Sequence, residues 1–220
     1  MDWSATRLTL QLAAATTAIL FLLGLPLASW LTFSRFRFKF LAEAIVALPL
    51  VLPPSVLGFY LLWGTSPKSP LGGLYTDWTG STLPFSFAGI LLASVLYNLP
   101  FAVRPFSAAL GGVDRRLIEA AWCLGVSRWE TFRNVTFPLA WRGILAGLVL
   151  TFAHTIGEFG VVLMVGGNIP GVTRTLSIAI YDDVQALNYD AAGRTALVLL
   201  AFALVVLCVV QVLQREPTRR

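Results

Sequence analysis

The sequence predicts an all-α integral membrane protein with about five transmembrane helices. Its N-terminus is expected outside, its C-terminus in the cytoplasm, and a pair of short cytoplasmic helices between spans three and four. Three observations carry that prediction. The 220 residues are 57% hydrophobic and only 12% charged, with a mean hydropathy of +0.77, whereas soluble domains carry about 25% charged residues. Five apolar runs come close to the ~20 residues that cross the hydrocarbon of a bilayer. Basic residues concentrate in alternate loops.

The five runs are approximately 8–33, 41–63, 85–106, 144–165 and 195–213. The first follows "MDWSATRLTL", whose Asp2 sits beside the only early base, Arg7. A cleaved signal needs a basic start and a shorter apolar core, so this run is read as retained. The second contains "LPLVLPPSVLG", in which Pro49, Pro53 and Pro54 each remove a backbone donor and bend the helix. A helix broken at membrane depth persists only where protein or a water-filled cavity satisfies the freed groups. The fourth run holds "AHTIGEFG", with His154 and Glu158 among glycines. Before the fifth, Leu176, Ile180, Val184 and Leu187 recur at helical spacing near Asp182 and Asp183, which predicts a short amphipathic helix on the outer face. Trp3, Trp30, Trp63, Trp78 and Trp141 fall near the span ends, where interfacial aromatics belong.

Orientation follows from the bases. Arg35, Arg37 and Lys39 lie in the first loop. Arg104, Arg115, Arg116, Arg128, Arg133 and Arg142 lie in or beside the third, and Arg215, Arg219 and Arg220 in the tail. The other side has Arg7, Lys68, Arg174 and Arg194, offset by Asp77, Asp182, Asp183 and Asp190. The net charge of +5 therefore reports topology rather than an affinity for nucleic acid. Cys123 and Cys208 form no CxxC, so neither a disulfide framework nor a metal knuckle is implied.

The third loop, approximately 107–141, is the most organised polar stretch. Asp114 precedes an apolar stripe at Leu117, Ala120, Ala121 and Leu124, and an acid there complements the helix dipole. Gly125 supplies a left-handed residue that ends the helix. "SRWE" then places Ser127 as N-cap and Glu130 three residues on, the pattern of a capping box. The second helix carries Trp129, Phe132 and Thr136 on one side and is expected to stop at Pro138. Two short helices with a fixed corner suit a surface on which another protein pushes; a helix on the lipid surface or a simple connector remains the plainer reading.

"EAAWCLGVSRWETFRNVTFP" resembles the EAA loop of importer permeases of the ATP-binding cassette class. It shares Glu-Ala-Ala, a glycine four residues beyond Ala121 and an ending in a hydrophobic residue and proline. "LPLVLPPSVLGFYLL", "GEFG" and "GNIPGVTRTLSIAIY" extend the likeness over nearly the whole chain, to molybdate permease subunits, with sulfate permeases closely related. "FPLAWRG" departs from the pattern in lacking the second proline that many members carry. The resemblance implies a single importer transmembrane domain over 1–220, multi-pass in a bacterial inner membrane. It also implies a homodimer, two cytoplasmic ATPase subunits that bind the ATP and Mg, and a periplasmic oxyanion-binding protein. Glu119, Ala120, Ala121, Leu124, Gly125 and Ser127 would then form the segment that seats on the ATPase. In agreement, neither Lys39 nor Lys68 follows a GxxxxGK[ST] glycine loop, so the motor has to be another chain. No catalytic residue, resident cofactor or metal ligand set is expected in this one.

Ionisable residues inside a span are costly enough to be functional candidates. Glu158 and His154, four apart, share a helix face. An ionised Glu158 would repel a divalent oxyanion, so it is expected to cap or bridge helices or to take part in a gate, and His154 to pack. Pro53, Pro54, Gly157 and Gly160 are expected to shape a narrowing path that can close, and an importer path needs only weak contacts. Ser55, Thr151 and Thr155 are the hydroxyls placed to make them. In the outer loop, Asn168 and Pro170 are expected to form a turn. Arg174 is read either as a contact for a docked partner or an anion, or as a solvated base. Glu43 is expected to snorkel or to pair with Arg37 or Lys39. An integral-membrane enzyme needs a catalytic set, and there is one histidine and no HExxH motif. A passive channel would leave the organised loop without a use.

Overall fold

The computed structural model describes residues 2–214, with the side chain of Gln214 excepted; Arg215, Arg219 and Arg220 of the basic tail lie outside them. Among the described residues all regular structure is helical. Four helices are long and apolar enough to span: α1 (Trp3–Phe33), α5 (Phe87–Gly111), the continuous path Arg128–Ile156 that ends in α8 (Phe137–Ile156), and α11 (Tyr189–Gln214). A fifth crossing exists if α2 (Lys39–Val51) and α3 (Pro54–Gly64) count as one span, but they meet at 110°. The prolines do more than bend this run: Leu52 and Pro53 are extended, and Pro54 restarts the helix at N1, where its missing N–H is harmless.

The fourth run also differs from its expected bounds of 144–165. Its helix ends at Ile156, the chain breaks at Gly157–Phe159, and the short α9 (Gly160–Gly166) follows. At its other end the loop helix does not stop at Pro138. α7 (Arg128–Thr131) widens into a π-helical turn, Phe132–Thr136, which runs directly into α8. Phe137 donates its N–H to the Phe132 carbonyl, one residue further back than in an α-helix. That widening gives the Pro138 ring room beside the preceding turn, the clash that makes proline a stop elsewhere.

α5 is the spine of the bundle, packed along α1 on one side and α8 on the other. Gly143 and Gly147, one turn apart on α8, allow the close approach: a Cβ on Gly143 would meet Ala109 Cβ at 2.6 Å, and one on Gly147 would meet Pro105 Cβ at 2.9 Å. Small residues at this spacing are how membrane helices come together without a hydrophobic driving force. One buried cluster gathers Leu20, Phe106, Leu110 and Ile144 toward the basic end of the bundle. A second gathers Leu12, Ile90, Val161, Val162 and Ile178 toward the opposite end. α11 leans on α8 and α10 (Leu176–Gln185) and leaves most of its apolar surface uncovered. The five tryptophans expected near span ends are all exposed.

α10 lies where the amphipathic helix was expected, but with a different face inward. Leu176, Ile178 and Ala179 are buried, whereas Val184 and Leu187 are exposed, because the helix packs by its first turn against α1 and α11. α4 (Pro70–Thr79), with Ser69 as its N-cap, lies between the second and third apolar runs.

Candidate functional site

Two regions carry the candidate residues. At the basic end, α6 (Arg115–Cys123) is N-capped by Asp114, whose carboxylate accepts from Arg116 N–H. It closes in a Schellman motif: Gly125 donates to Trp122 O at 3.0 Å and Val126 to Ala121 O at 3.1 Å, with Gly125 at φ 78°. An added Cβ on Gly125 would meet nothing within 4 Å, so backbone conformation rather than space demands glycine. The capping box is formed, Ser127 and Glu130 each bonding the other's backbone N–H. Glu119 pairs with Arg115 at 3.3 Å on the exposed side.

The stripe on α6 is rotated from its expected place. Ile118 and Ala121 bury inward, while Leu117, Ala120 and Leu124 form an exposed apolar strip, with Leu124 83% accessible. Gly125 and Ser127 are exposed at the corner beside it. The strip is therefore presented outward by a helix that is itself fixed to the bundle.

The second region lies where the two broken runs meet. α3 and α9 pack together through facing glycines: a Cβ on Gly58 would lie 2.6 Å from Met164 Cβ, and one on Gly160 would lie 2.8 Å from Pro54 Cβ. Gly160→Ala is accordingly expected to force the Pro54 ring away and to destabilise the folded chain by about 1–3 kcal/mol. A thermal unfolding series in detergent checks this; an unchanged melting temperature would mean the elbow yields freely.

Beside this junction lies a cavity of about 560 Å³ lined by Pro54, Ser55, Tyr97, Ala153, His154, Gly157, Glu158, Phe159 and Gly160. Glu158 is 4% exposed. Its Oε2 accepts from Asn98 Nδ2 at 2.7 Å and from Ser94 Oγ at 3.1 Å, while Oε1 has no partner. Asn98 Nδ2 also donates to the Ser94 carbonyl at 2.9 Å, so Asn98 Oδ1, 2.8 Å from His154 Nδ1, accepts from a protonated Nδ1–H. The His154 ring stacks on Phe101 at 3.7 Å between centroids. Asn98 thus ties α5 to the last turn of α8 and to the break that follows it. Glu158 holds the break against α5.

Of the residues assigned to the path, Pro54, Ser55, Gly157, Glu158 and Gly160 line this cavity, and Pro53 stands exposed at the elbow just outside it. Thr151 and Thr155 do not line it. Both are buried, and their hydroxyls donate back into their own helix, to Gly147 O at 2.8 Å and Thr151 O at 2.9 Å. Sequence reading missed Ser94, Tyr97 and Asn98. The available signal was "SVLYN", two polar residues four apart in an otherwise apolar run.

In the loop between α9 and α10, Gly167 and Gly171 take positive φ, and the buried Thr173 hydroxyl donates to Gly166 O at 2.7 Å while accepting from Ile169 N. Asn168 and Pro170 are exposed on the turn so formed. Arg174 is not a free base: its guanidinium pairs with Asp182 of α10, its side chain only 22% exposed.

An all-helical bundle with broken membrane helices, a cavity at their junction and an outward-presented loop helix fits a polytopic transport subunit. The chain belongs to the family described as the inner membrane component of binding-protein-dependent transport systems, whose sequence profile matches residues 20–215. It is 49% identical over 207 residues to the molybdenum transport system permease protein ModB of Azotobacter vinelandii, covering 94% of this chain and 91% of that one. It is 36% identical over 220 residues to the ModB protein of Escherichia coli strain K12, covering 100% and 96%. Its fold matches a chain of the MetNI methionine ABC transporter with a TM-score of 0.74 at 19% identity, over 96% of this chain and 95% of that one. The protein is an importer permease subunit, multi-pass in the inner membrane.

Proposed function

We propose that this chain forms the membrane path of an ATP-driven importer of molybdate or tungstate. It would work as a homodimer with two cytoplasmic ATPase subunits that hold ATP and Mg, and a periplasmic protein that delivers the oxyanion. The likeness to the Azotobacter vinelandii ModB protein, 49% over 94% of this chain, carries the substrate assignment. Neither charge nor shape separates molybdate from sulfate, since both are tetrahedral dianions.

The mechanism follows from the geometry. The exposed strip Leu117, Ala120 and Leu124 offers an apolar ridge to a groove on the ATPase. Closure of the ATPase dimer displaces α6, and the path alternates between inward- and outward-facing states, each favoured by a different ligand. The elbow at Leu52–Pro53 and the break at Gly157–Phe159 are where the path can change shape, because neither is held by continuous helical hydrogen bonds. Ser55 and Tyr97 supply the cavity with hydroxyls for passing contacts. Weak contacts suit a path that must release its ion, and selectivity then resides in the delivering protein.

The test is ATP hydrolysis by the reconstituted complex with its binding protein loaded with molybdate, tungstate or sulfate. Stimulation by the molybdate- and tungstate-loaded protein is expected. Stimulation by the sulfate-loaded protein alone would move the chain to the sulfate importers.

A further inference from the structure

A second cavity, of about 520 Å³, lies at the basic end between α1, α2 and α5, and nothing in the transport reading uses it. Leu31, Val46 and Val103 make its floor; Thr32, Lys39, Glu43, Arg104 and Ser107 bring polar groups to it. Arg104 lies about 10 Å along α5 from that helix's end at Gly111, within the span. Among the described residues it has neither an ion pair nor a hydrogen bond, whereas Lys39 is paired with Glu43 at 3.4 Å. Arg104 is exposed to the cavity, and a base left unpaired this close to the end of a span is free to take an anion.

What supplies the anion is indicated by the surface around the cavity. "SRFRFKF" alternates Arg35, Arg37 and Lys39 with Phe36, Phe38 and Phe40, and the three rings are all at least half exposed. Trp30, Phe36, Phe38 and Phe40 follow one another in tilted and T-shaped pairs, with centroids 5.8–6.4 Å apart. Alternating bases and exposed rings match the boundary between phosphate headgroups and acyl chains. α2 buries only Val46 and Pro49, so the apolar wall beside the cavity is uncovered.

We propose that this cavity binds an anionic phospholipid of the leaflet at the basic face, its phosphate between Arg104 and Lys39 and its acyl chains along the phenylalanine ladder and α2. Four bases against one acid leave the patch cationic, and each base near such a headgroup contributes about fivefold to the preference for anionic lipid. The leaflet follows from the distribution of bases; the site itself does not depend on which oxyanion is transported.

Native mass spectrometry of the full-length chain, released from bilayers of mixed phosphatidylglycerol and phosphatidylcholine, tests it. The wild type is expected to retain phosphatidylglycerol preferentially. Lys39→Gln with Arg104→Gln is expected to lower that preference by on the order of tenfold or more. Arg142→Gln, which removes a base from the same face outside the cavity, leaves it unchanged, and Arg104→Lys keeps most of it. A monodisperse double variant that retains phosphatidylglycerol as the wild type does would overturn the proposal. So would displacement of the lipid by millimolar free molybdate or phosphate, which would give the cavity to a soluble oxyanion instead.

Discussion

Gly125→Pro is expected to abolish the stimulation of ATP hydrolysis by loaded binding protein, by about tenfold or more, while the ATPase subunits keep their basal rate. Gly125 sits at φ 78°, and proline is locked near −65°. The substitution also removes the N–H that bonds Trp122 O at 3.0 Å. The corner between α6 and α7 would have to open, turning the Leu117–Ala120–Leu124 strip away from its partner. A tenfold loss corresponds to about 1.4 kcal/mol, well within what a broken corner releases. Gly125→Ala, with its cost of about 1–2 kcal/mol in the left-handed region, is expected to fall between the two. Glu119→Arg adds a second probe at the exposed face, where it would meet Arg115 instead of pairing with it. A proline variant as well coupled as the wild type would remove the corner from the mechanism.

Asn98→Leu is expected to be among the most destabilising single changes in the chain. It leaves the buried Glu158 Oε2 without its 2.7 Å donor and the His154 Nδ1–H without its acceptor. Oε2 keeps only the Ser94 hydroxyl at 3.1 Å, and the His154 Nδ1–H loses its only acceptor. A buried group left unsatisfied costs about 1–3 kcal/mol and a lost bond to a charged group a similar amount, so a loss of about 2–3 kcal/mol is expected. That should appear as a fall of several degrees in the melting temperature of the detergent-solubilised chain. Glu158→Leu on its own strips the Asn98 amide of a partner. The double variant removes both ends at once and should cost less than the sum, by about 1–3 kcal/mol of coupling. Strictly additive effects would mean that Asn98 and Glu158 do not depend on each other.

How much of this was legible in the sequence differs from element to element. Hydropathy located the long helices, since apolar runs of span length have few other uses. The prolines of "LPLVLPP" announced a break, but its 110° angle depends on how α3 packs against α9, a contact distant in sequence. Pro138 was misread for a related reason. Local rules make proline a helix stop, and the π-helical turn that accommodates it leaves no mark in composition. The α8–α9 break hid inside a continuous apolar run because glycines there are compatible with helix or with a break. The capping box and Gly125 were legible because each is specified by backbone geometry over four residues or fewer. Glu43 was expected to snorkel or to pair with Arg37 or Lys39, and the pair with Lys39 is the one formed. Thr151 and Thr155 were misplaced because a threonine in an apolar helix satisfies its hydroxyl on its own backbone, which hides it from any path. Asn98 escaped notice because a neutral amide carries none of the warning that a buried charge does.

The unbroken helical run from Arg128 to Ile156 has a mechanical consequence. At 29 residues it is a single strut of about 43 Å, with the capping box of α7 at one end and the Glu158 cluster just beyond the other. Pivoting it by about 5° would carry its far tip through roughly 4 Å, more than the reach of a hydrogen bond. A modest push at the loop is thereby geared up at the cavity. The strut meets the Asn98–Glu158 contacts at the point where such a swing would make or break them.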